Sequence, residues 1–136
     1  MLSPYSLDAV WDMPHYSGVV SPADIAELVA ACQLSAGPLA CWIEDVHSMP
    51  RQGVASAFKF GRAFGTVIGV VGGAGIPINY VTPGKWKRAL GLSSDKTACR
   101  RRAQELWPQQ AHLFARVKDD GRAEAALIAL YGSRQP

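Results

Sequence analysis

The chain has 136 residues, which suits one domain with one hydrophobic core, and its hydrophobic content of 49% and charged content of 18% are ordinary for a folded globular protein. This composition excludes a low-complexity or fibrous chain. The formal net charge of +3 is small, so the placement of the basic residues is more informative than their excess.

The cysteines and the apolar segments limit the cellular setting. Cys32, Cys41 and Cys99 lack CxxC or any other metal-ligand spacing, and their odd number argues against a disulfide framework, so we expect a reducing, cytoplasmic compartment. The opening residues, MLSPYSLDAVWDMP, have no basic or apolar region typical of a signal peptide. The most apolar stretch, AFGTVIGVVGGAGIPI, is short and rich in glycine, so we expect no membrane-spanning segment.

The first third of the chain alternates strand and helix signals. LDAVWDMP, residues 7–14, predicts a strand, and HYSGVV predicts a turn. Ser21 as a cap and Pro22 at the first helical position predict an amphipathic helix over 22–34. LACWIEDV is a short apolar run between turn signals, which predicts a buried strand ending near Glu44.

The longest predicted helix covers residues 52–74 and carries a small residue at every fourth position. Since glycine inside a helix costs about 1 kcal/mol relative to alanine, this stripe predicts close packing against a sheet or another helix. A dinucleotide-binding glycine loop is the alternative, but such a loop follows a strand and opens a helix, whereas these glycines close one. The stripe consists of Ala57, Gly61, Gly65, Gly69 and Gly73.

The remaining elements complete an α/β pattern. IPINYVTP, residues 76–83, predicts a strand, and GKWKRALGL predicts a short helix after it. Ser94 is the predicted cap of a helix DKTACRRRAQELW that Pro108 ends, QQAHLFARVK predicts a loop with a hydrophobic anchor, and DGRAEAALIALYG predicts the last helix. Without internal repeats, this order predicts a single α/β domain over residues 1–136 with a largely parallel sheet.

Three acids are placed where chemistry is common. Glu44 ends a predicted central strand, at the sheet edge where open α/β sheets bind ligands. Asp120 and Glu124 are four residues apart, so they share one face of the last helix. Carboxylates suit Mg²⁺, and two such ions can clamp a phosphodiester. Acids at a helix N-terminus also complement the helix dipole, and the pattern alone favours that simpler explanation.

Five separated blocks occur in the order of one family. IEDVHSMPRQG, FKFGRAFG, GIPINYVTPGKWKRALGL, SDKTACRRRAQELWP and KDDGRAEAALIALYG, spread between about Ala9 and Arg134, together resemble the phage-type RuvC-like Holliday junction resolvases of the ribonuclease-H-like superfamily. The resemblance implies a three-layer domain with a mixed sheet flanked by helices. It also implies an endonuclease that cuts branched DNA as a homodimer, with two Mg²⁺ or Mn²⁺ ions and no organic cofactor.

The resemblance also assigns the acids. It implies that Glu44, Asp120 and Glu124 are the catalytic metal ligands, with Asp119 an equally placed neighbour of Asp120. The family opens with a strand whose Gly-Ile-Asp-Pro-Gly-type motif supplies an Asp that bridges both metals, and these 136 residues contain no such motif. LDAVWDMP resembles a later strand, so neither Asp8 nor Asp12 takes that role.

The missing motif leaves several explanations open. We expect the chain to be N-terminally truncated relative to the family, with the natural protein starting upstream of Met1; a decayed gene, or neighbouring strands that close the gap, are the alternatives. Cleavage by this form is then expected to be weak or absent. A non-catalytic branched-DNA binder that remains from a resolvase is the alternative function, and an unrelated small-molecule domain is a third class.

Basic and aromatic residues fit a polyanionic substrate. Phosphate contacts give salt-dependent, sequence-independent affinity, although a solvated face explains any single cation equally well. Trp86 either covers the core or stacks on a base, and His47 is either structural or orients a phosphate near the acids. The aromatic residues of the long helix, Phe58, Phe60 and Phe64, are predicted core or dimer contacts. The predicted DNA-binding residues are Arg51, Lys85, Lys87, Arg88, Lys96 and Arg100.

Overall fold

A computed structural model describes residues 6–136 of the chain. Four short strands and five helices run in the order β1 (His15–Tyr16), β2 (Val19–Val20), α1 (Pro22–Ala36), β3 (Cys41–Glu44), α2 (Val54–Gly73), β4 (Ile78–Val81), α3 (Pro83–Ala89), α4 (Lys96–Leu106) and α5 (Asp120–Ser133). Two 3-10 helices, Pro108–Phe114 and Val117–Asp119, connect α4 to α5. The start of the predicted domain, and with it part of the stretch judged not to be a signal peptide, lies in residues 1–5, outside the described residues.

The described residues divide into two compact units. The first unit comprises residues 6–12, Trp42–Glu44 and Val81–Pro136, and the second comprises Met13–Cys41 and Asp45–Tyr80. All three acids predicted from the sequence lie in the first unit. The single domain over residues 1–136 stays a prediction.

The N-terminal strand prediction is wrong, and a hairpin takes its place. Residues 7–14 have irregular backbone, and the segment named as a turn contains β1 and β2, paired antiparallel. Ser17 and Gly18, at φ of 51° and 77°, form the two-residue turn between them, since hairpin turns that match the strand twist need positive φ at both central positions. The sequence signal was Ser-Gly between two β-forming residues on each side.

The described strands do not form one large sheet, so the expected extended, largely parallel sheet is not observed. β1 pairs with β2, and β3 pairs with β4, each as a two-stranded sheet. The backbone amide of Cys41 donates to the carbonyl of Pro77 at 2.8 Å, which fixes the start of β3. All four residues of β3 are half-buried rather than fully buried.

Helix α1 confirms its predicted cap, whereas α2 departs from its predicted packing. The Ser21 hydroxyl accepts a hydrogen bond from the Asp24 amide at 3.3 Å, and Pro22 opens the helix. The predicted close packing of the glycine stripe is wrong within the described residues. A Cβ added at Gly61, Gly65 or Gly69 would meet no atom within 4 Å, so this stripe faces open space.

Helix α2 also corrects the expectation about membranes in part. Its 20 residues have a mean hydropathy of 1.3, which by length and composition alone would allow it to cross a bilayer. One such helix is weak evidence, because helices of soluble proteins pass the same test. The stacked Phe60 and Phe64 rings, 6.3 Å apart, lie on it, and Phe58 is 71% exposed.

The core of the first unit is built on α5. Leu127 is completely buried, as is Phe114 of the 3-10 helix, which confirms the predicted hydrophobic anchor. Helix α4 is capped by Asp95 rather than by Ser94, and the Asp95 carboxylate accepts from the Thr97 amide at 2.9 Å. An aspartate caps as well as a serine, so the neighbouring residue fulfils the same role one position later. The buried side of α5 includes Ala123, Ala126, Leu127 and Leu130.

Asp119 is held by two arginines, Arg116 and Arg122, and Arg122 also links it to Asp12 in the irregular N-terminal segment. Its carboxylate is buried and accepts from the backbone amide of Arg116 at 2.9 Å and from the guanidinium at 2.9 and 3.2 Å. Arg122 lies 3.6 Å from the same carboxylate and donates to Asp12 at 2.8 and 2.9 Å. The hydrogen bonds from Arg116 lower the pKa of Asp119 to about 2.

Gly132 sets the distance between β3 and α5. A Cβ at this position would overlap the indole ring of Trp42, and that ring meets Tyr131 edge-on at 5.5 Å between ring centroids. The close approach matters for function because Trp42 lies two residues before Glu44.

Gly132→Ala is expected to destabilise the protein by about 1–3 kcal/mol, because the added methyl group overpacks the contact with Trp42. Urea unfolding measures the change. Gly121→Ala on the same helix is the control, since a Cβ there meets no atom within 4 Å and alanine gains up to about 1 kcal/mol over glycine in a helix. Equal effects of the two substitutions would contradict the close contact.

Asp119→Asn is expected to lower the urea midpoint at neutral pH, and the difference from wild type should shrink in acid. The pKa of Asp119 is depressed from 3.8 to about 2 in the folded state, so its stabilisation is fully present above 3.8 and is lost as the pH falls through about 2. A series of urea titrations across this range tests it. Asp95→Asn is the control: its urea midpoint should stay close to that of wild type, because asparagine caps a helix equally well. A difference in urea midpoint between Asp119→Asn and wild type that stays constant with pH would refute the prediction.

Candidate functional site

Glu44 lies at the end of β3 and is held by a tryptophan. The indole N–H of Trp86 donates to Oε2 of Glu44 at 2.8 Å. Trp86 sits on α3, directly after β4, and is completely buried, so the core interpretation of this residue is confirmed and stacking on a base is excluded. The ammonium group of Lys87 lies 5.3 Å from the centre of the Trp86 ring, within range of a cation–π contact.

Asp120 and Glu124 each carry a cationic partner from α4. Arg100 forms an ion pair with Asp120, and both side chains are largely buried, at 14% and 20% exposure. Lys96 lies 3.4 Å from Glu124. The two cations are four residues apart on α4, and the two acids are four residues apart on α5. Residues at this spacing share one face of a helix, so the two ion pairs lie between one face of α4 and one face of α5.

Cys99 lies between these pairs on α4. Burial raises the pKa of its thiol, and the charges of Glu124 and Asp120 raise it further, while Lys87 and Lys96 lower it. All four charged groups therefore lie within electrostatic range of one buried atom. The thiol itself is free, like those of Cys32 and Cys41.

The two neighbouring aspartates have different environments. Asp119 is 1% exposed and its oxygens are taken by Arg116 and Arg122. Asp120 is the first residue of α5, one turn before Glu124, and forms an ion pair with Arg100. The sequence did not distinguish Asp119 from Asp120 as a metal ligand. In the structure, Asp120 is the one that lies on the same helix face as Glu124.

The acids suit a hard cation in their chemistry. Carboxylate oxygens are the donors that Mg²⁺ prefers, and this ion is commonly held by one or two carboxylates together with substrate phosphate. Lys96 and Arg100 already neutralise Glu124 and Asp120, so a metal ion at these acids would have to displace both cations. Across residues 6–136, no group of three or more Asp, Glu, His or Cys side chains is close enough to hold one ion jointly.

The predicted DNA-binding residues lie in three places: on α3, on α4 and in the second unit. Lys85 and Arg88 are exposed on α3, and Lys87 is partly covered by its contact with Trp86. Lys96 is 62% exposed and Arg100 is 14% exposed, and each pairs with an acid of α5. Arg51 lies in the second unit, in a turn with φ of 69°, and His47 lies in the irregular segment before it. Their roles stay predictions.

Two features of the site escaped the sequence analysis. Trp86 is a hydrogen-bond donor to Glu44, and nothing in a sequence predicts which way a buried indole N–H points. The pairing of Lys96 and Arg100 with Glu124 and Asp120 could have been found in the sequence, because the two cations and the two acids have the same four-residue spacing. The sequence prediction instead treats the cations as DNA contacts and the acids as metal ligands.

The comparisons with known proteins agree with the resemblance. A stretch of 92 residues, 66% of the chain, is 29% identical to the chloroplastic Holliday junction resolvase MOC1 of Chlamydomonas reinhardtii. This match spans only 10% of the length of that relative. No protein-family model matches the chain.

A solved structure supports the fold. RuvC from T. thermophilus, in complex with a Holliday junction substrate, superimposes with a TM-score of 0.58 at 21% sequence identity, covering 83% of this chain and 68% of that one. The α/β fold class predicted from the sequence is thereby confirmed. The chain therefore has the fold of RuvC, the ribonuclease-H-like fold, and over 92 residues it is similar in sequence to a Holliday junction resolvase.

Proposed function

We propose that the chain is a Mg²⁺-dependent, structure-specific endonuclease that hydrolyses phosphodiesters in branched DNA, the substrate being a four-way junction. The observation that carries this proposal is the pair of acids, Asp120 and Glu124, on one face of α5 in the same unit as Glu44. The similarity to a Holliday junction resolvase over 92 residues supports the choice of substrate.

The proposed chemistry assigns a task to each side chain. Two bound Mg²⁺ or Mn²⁺ ions would activate the attacking water and stabilise the leaving oxygen. Glu44, Asp120 and Glu124 would hold them, with Asp120 and Glu124 releasing Arg100 and Lys96. These two cations, once released, lie beside the acids and are free to bind the DNA backbone, where charge neutralisation of phosphate supplies affinity.

Exposed cations on α3 would extend the DNA-binding surface. Lys85 and Arg88 are exposed one turn apart, and Lys87 lies between them over Trp86. Because α3 also carries the indole that binds Glu44, a strand held by these cations would run close to that acid. Arg51, in the second unit, is a further phosphate contact in this proposal.

We also propose a homodimer, since a two-fold axis presents two sites to a four-way junction. The exposed apolar surface of α2, including Phe58 at 71% exposure, supports an interface on that helix. We likewise propose the reducing, cytoplasmic compartment that the cysteine count of the sequence predicts.

Glu44→Gln, Asp120→Asn and Glu124→Gln are each expected to lower the rate of Mg²⁺-dependent cleavage of a synthetic four-way junction by at least about 100-fold, because each removes a charged metal ligand. The measurement is single-turnover cleavage of labelled DNA. Glu105→Gln is the matched control: this acid pairs with Arg102 on the exposed face of α4 at 3.4 Å, and its loss should leave the rate unchanged.

The same assay separates nuclease from non-catalytic binder. Cleavage by the wild type is followed over hours at several Mg²⁺ and Mn²⁺ concentrations. Wild-type protein that binds the junction tightly and never cuts it, with binding unaffected by the three substitutions, favours the non-catalytic alternative. Protein that has no affinity for the junction contradicts both.

Lys85→Ala and Arg88→Ala are expected to weaken junction binding at every salt concentration, each lowering the slope of log affinity against log salt by about 1 because one phosphate contact is lost. Binding is measured by fluorescence anisotropy over a salt series. Arg102→Gln serves as the comparison, since this cation already pairs with Glu105, and it should change the slope less. An unchanged slope for the α3 variants would exclude α3 from the interface.

A further inference from the structure

Glu44 differs from the other two acids in the kind of partner it has. Asp120 and Glu124 are balanced by charged groups on α4, whereas Glu44 accepts from a neutral, completely buried donor, the indole N–H of Trp86. A charged partner competes with a metal ion for the carboxylate. A neutral donor does not, because it can remain bound to one oxygen while the other oxygen binds a cation.

We propose that Trp86 is a positioning residue for Glu44: it holds Oε2 so that Oε1 is presented to the metal ion. This inference rests on the proposed nuclease function and deepens it. Residues that hydrogen-bond to a metal ligand do not touch the metal, but their removal typically lowers metal affinity or activity by about 10–100-fold. Trp86 would belong to this class, since its only contact with the chemistry runs through Glu44.

The rigidity of Trp86 makes it suitable for this task. Its ring is 0% exposed and packs in the same hydrophobic cluster as Val81, Cys99 and Ala103. Helix α3 starts at Pro83, two residues after β4 ends, so the backbone of Trp86 is fixed close to the strand. The glutamate side chain, by contrast, has three rotatable bonds, and a fixed donor removes much of that freedom before any ligand arrives.

Energetics also favour retention of the bond when a cation arrives. If Glu44 turned both oxygens towards a metal ion, the Trp86 N–H would be left buried without a partner, and such a group costs free energy. The bond therefore favours an arrangement in which Oε2 stays on the indole N–H and Oε1 is the oxygen left for a cation.

Trp107 provides a matched control within the same unit. It is a second buried tryptophan, 5% exposed, and packs against Phe114. Its indole N–H has no hydrogen-bond partner among the described residues. Trp107→Phe therefore removes comparable volume from the core and an N–H that positions nothing, whereas Trp86→Phe removes comparable volume and the bond to Glu44.

The experiment compares Mn²⁺ binding by wild type, Trp86→Phe, Trp107→Phe and Glu44→Gln, measured by the electron paramagnetic resonance signal of free Mn²⁺. We expect Trp86→Phe to weaken Mn²⁺ binding by about 10–100-fold, and Glu44→Gln to weaken it at least as much. The affinity of Trp107→Phe for Mn²⁺ should stay within about twofold of wild type. The Mg²⁺ concentration that gives half-maximal cleavage should rise in parallel for Trp86→Phe, with a smaller change in the rate at saturating Mg²⁺.

A second measurement keeps the inference testable if Trp86→Phe does not fold. The four tryptophans give four indole N–H signals in a spectrum of protein labelled with ¹⁵N-tryptophan, and Phe substitutions at the other three assign the signal of Trp86. We expect this signal to move on Glu44→Gln, and to move with Mg²⁺ in wild type but not in Glu44→Gln. A Trp86 signal that ignores both Glu44 and Mg²⁺ overturns the inference.

The outcomes separate the inference from the function on which it rests. If wild type binds Mn²⁺ and cuts junctions while Trp86→Phe binds Mn²⁺ as Trp107→Phe does, the positioning role is overturned and the nuclease proposal stands. If wild type neither binds Mn²⁺ nor cuts, both are overturned. Weakened Mn²⁺ binding in Trp86→Phe alone, with both tryptophan variants equally stable, supports the role.

Discussion

A carboxylate that is drawn away from water must find a hydrogen bond or a positive charge, and this requirement organises the first unit. Arg100 and Lys96 neutralise Asp120 and Glu124, and Trp86 satisfies one oxygen of Glu44. The ion pairs join α4 to α5, and the indole bond joins α3 to the end of β3. The same acids that are costly to bury thus determine how the helices pack around them.

Small residues on α5 make this arrangement possible. Ala123, Ala126 and Gly132 are buried on the face that the other elements cover. At Gly132 the absence of a Cβ lets Trp42 reach the helix backbone, which brings β3, with Glu44 at its end, against the C-terminal half of α5. A larger side chain at position 132 would therefore disturb the contact between α5 and β3, the strand that ends at Glu44.

The sequence predicted the helices well because their signals are local. Ser21-Pro22, Thr82-Pro83 and the apolar spacing of residues 123–130 each identify an element through nearby residues. The predictions that failed depended on distant partners. Residues 7–14 were predicted to form a strand, but their backbone is irregular, and the Leu7 carbonyl accepts a hydrogen bond from the Gln110 side chain at 2.6 Å. The glycine stripe of α2 predicted close packing, and the described residues supply no surface against it. The site followed the same rule: its acids were evident from their places in strand and helix, whereas the donor to Glu44 was not.

In the proposed function, the acids that would bind metal and the cations that would bind DNA form one electrostatic system with two states. In the structure Lys96 and Arg100 bind Glu124 and Asp120, so neither set has its charge free for another ligand. Divalent ions at the acids would release two positive charges beside the site, and phosphate would then have cations to bind. Conversely, phosphate that draws Lys96 and Arg100 away would leave two carboxylates uncompensated and raise their affinity for metal. By linkage the two ligands must favour each other's binding, and Glu44, whose partner is neutral, would remain in place throughout.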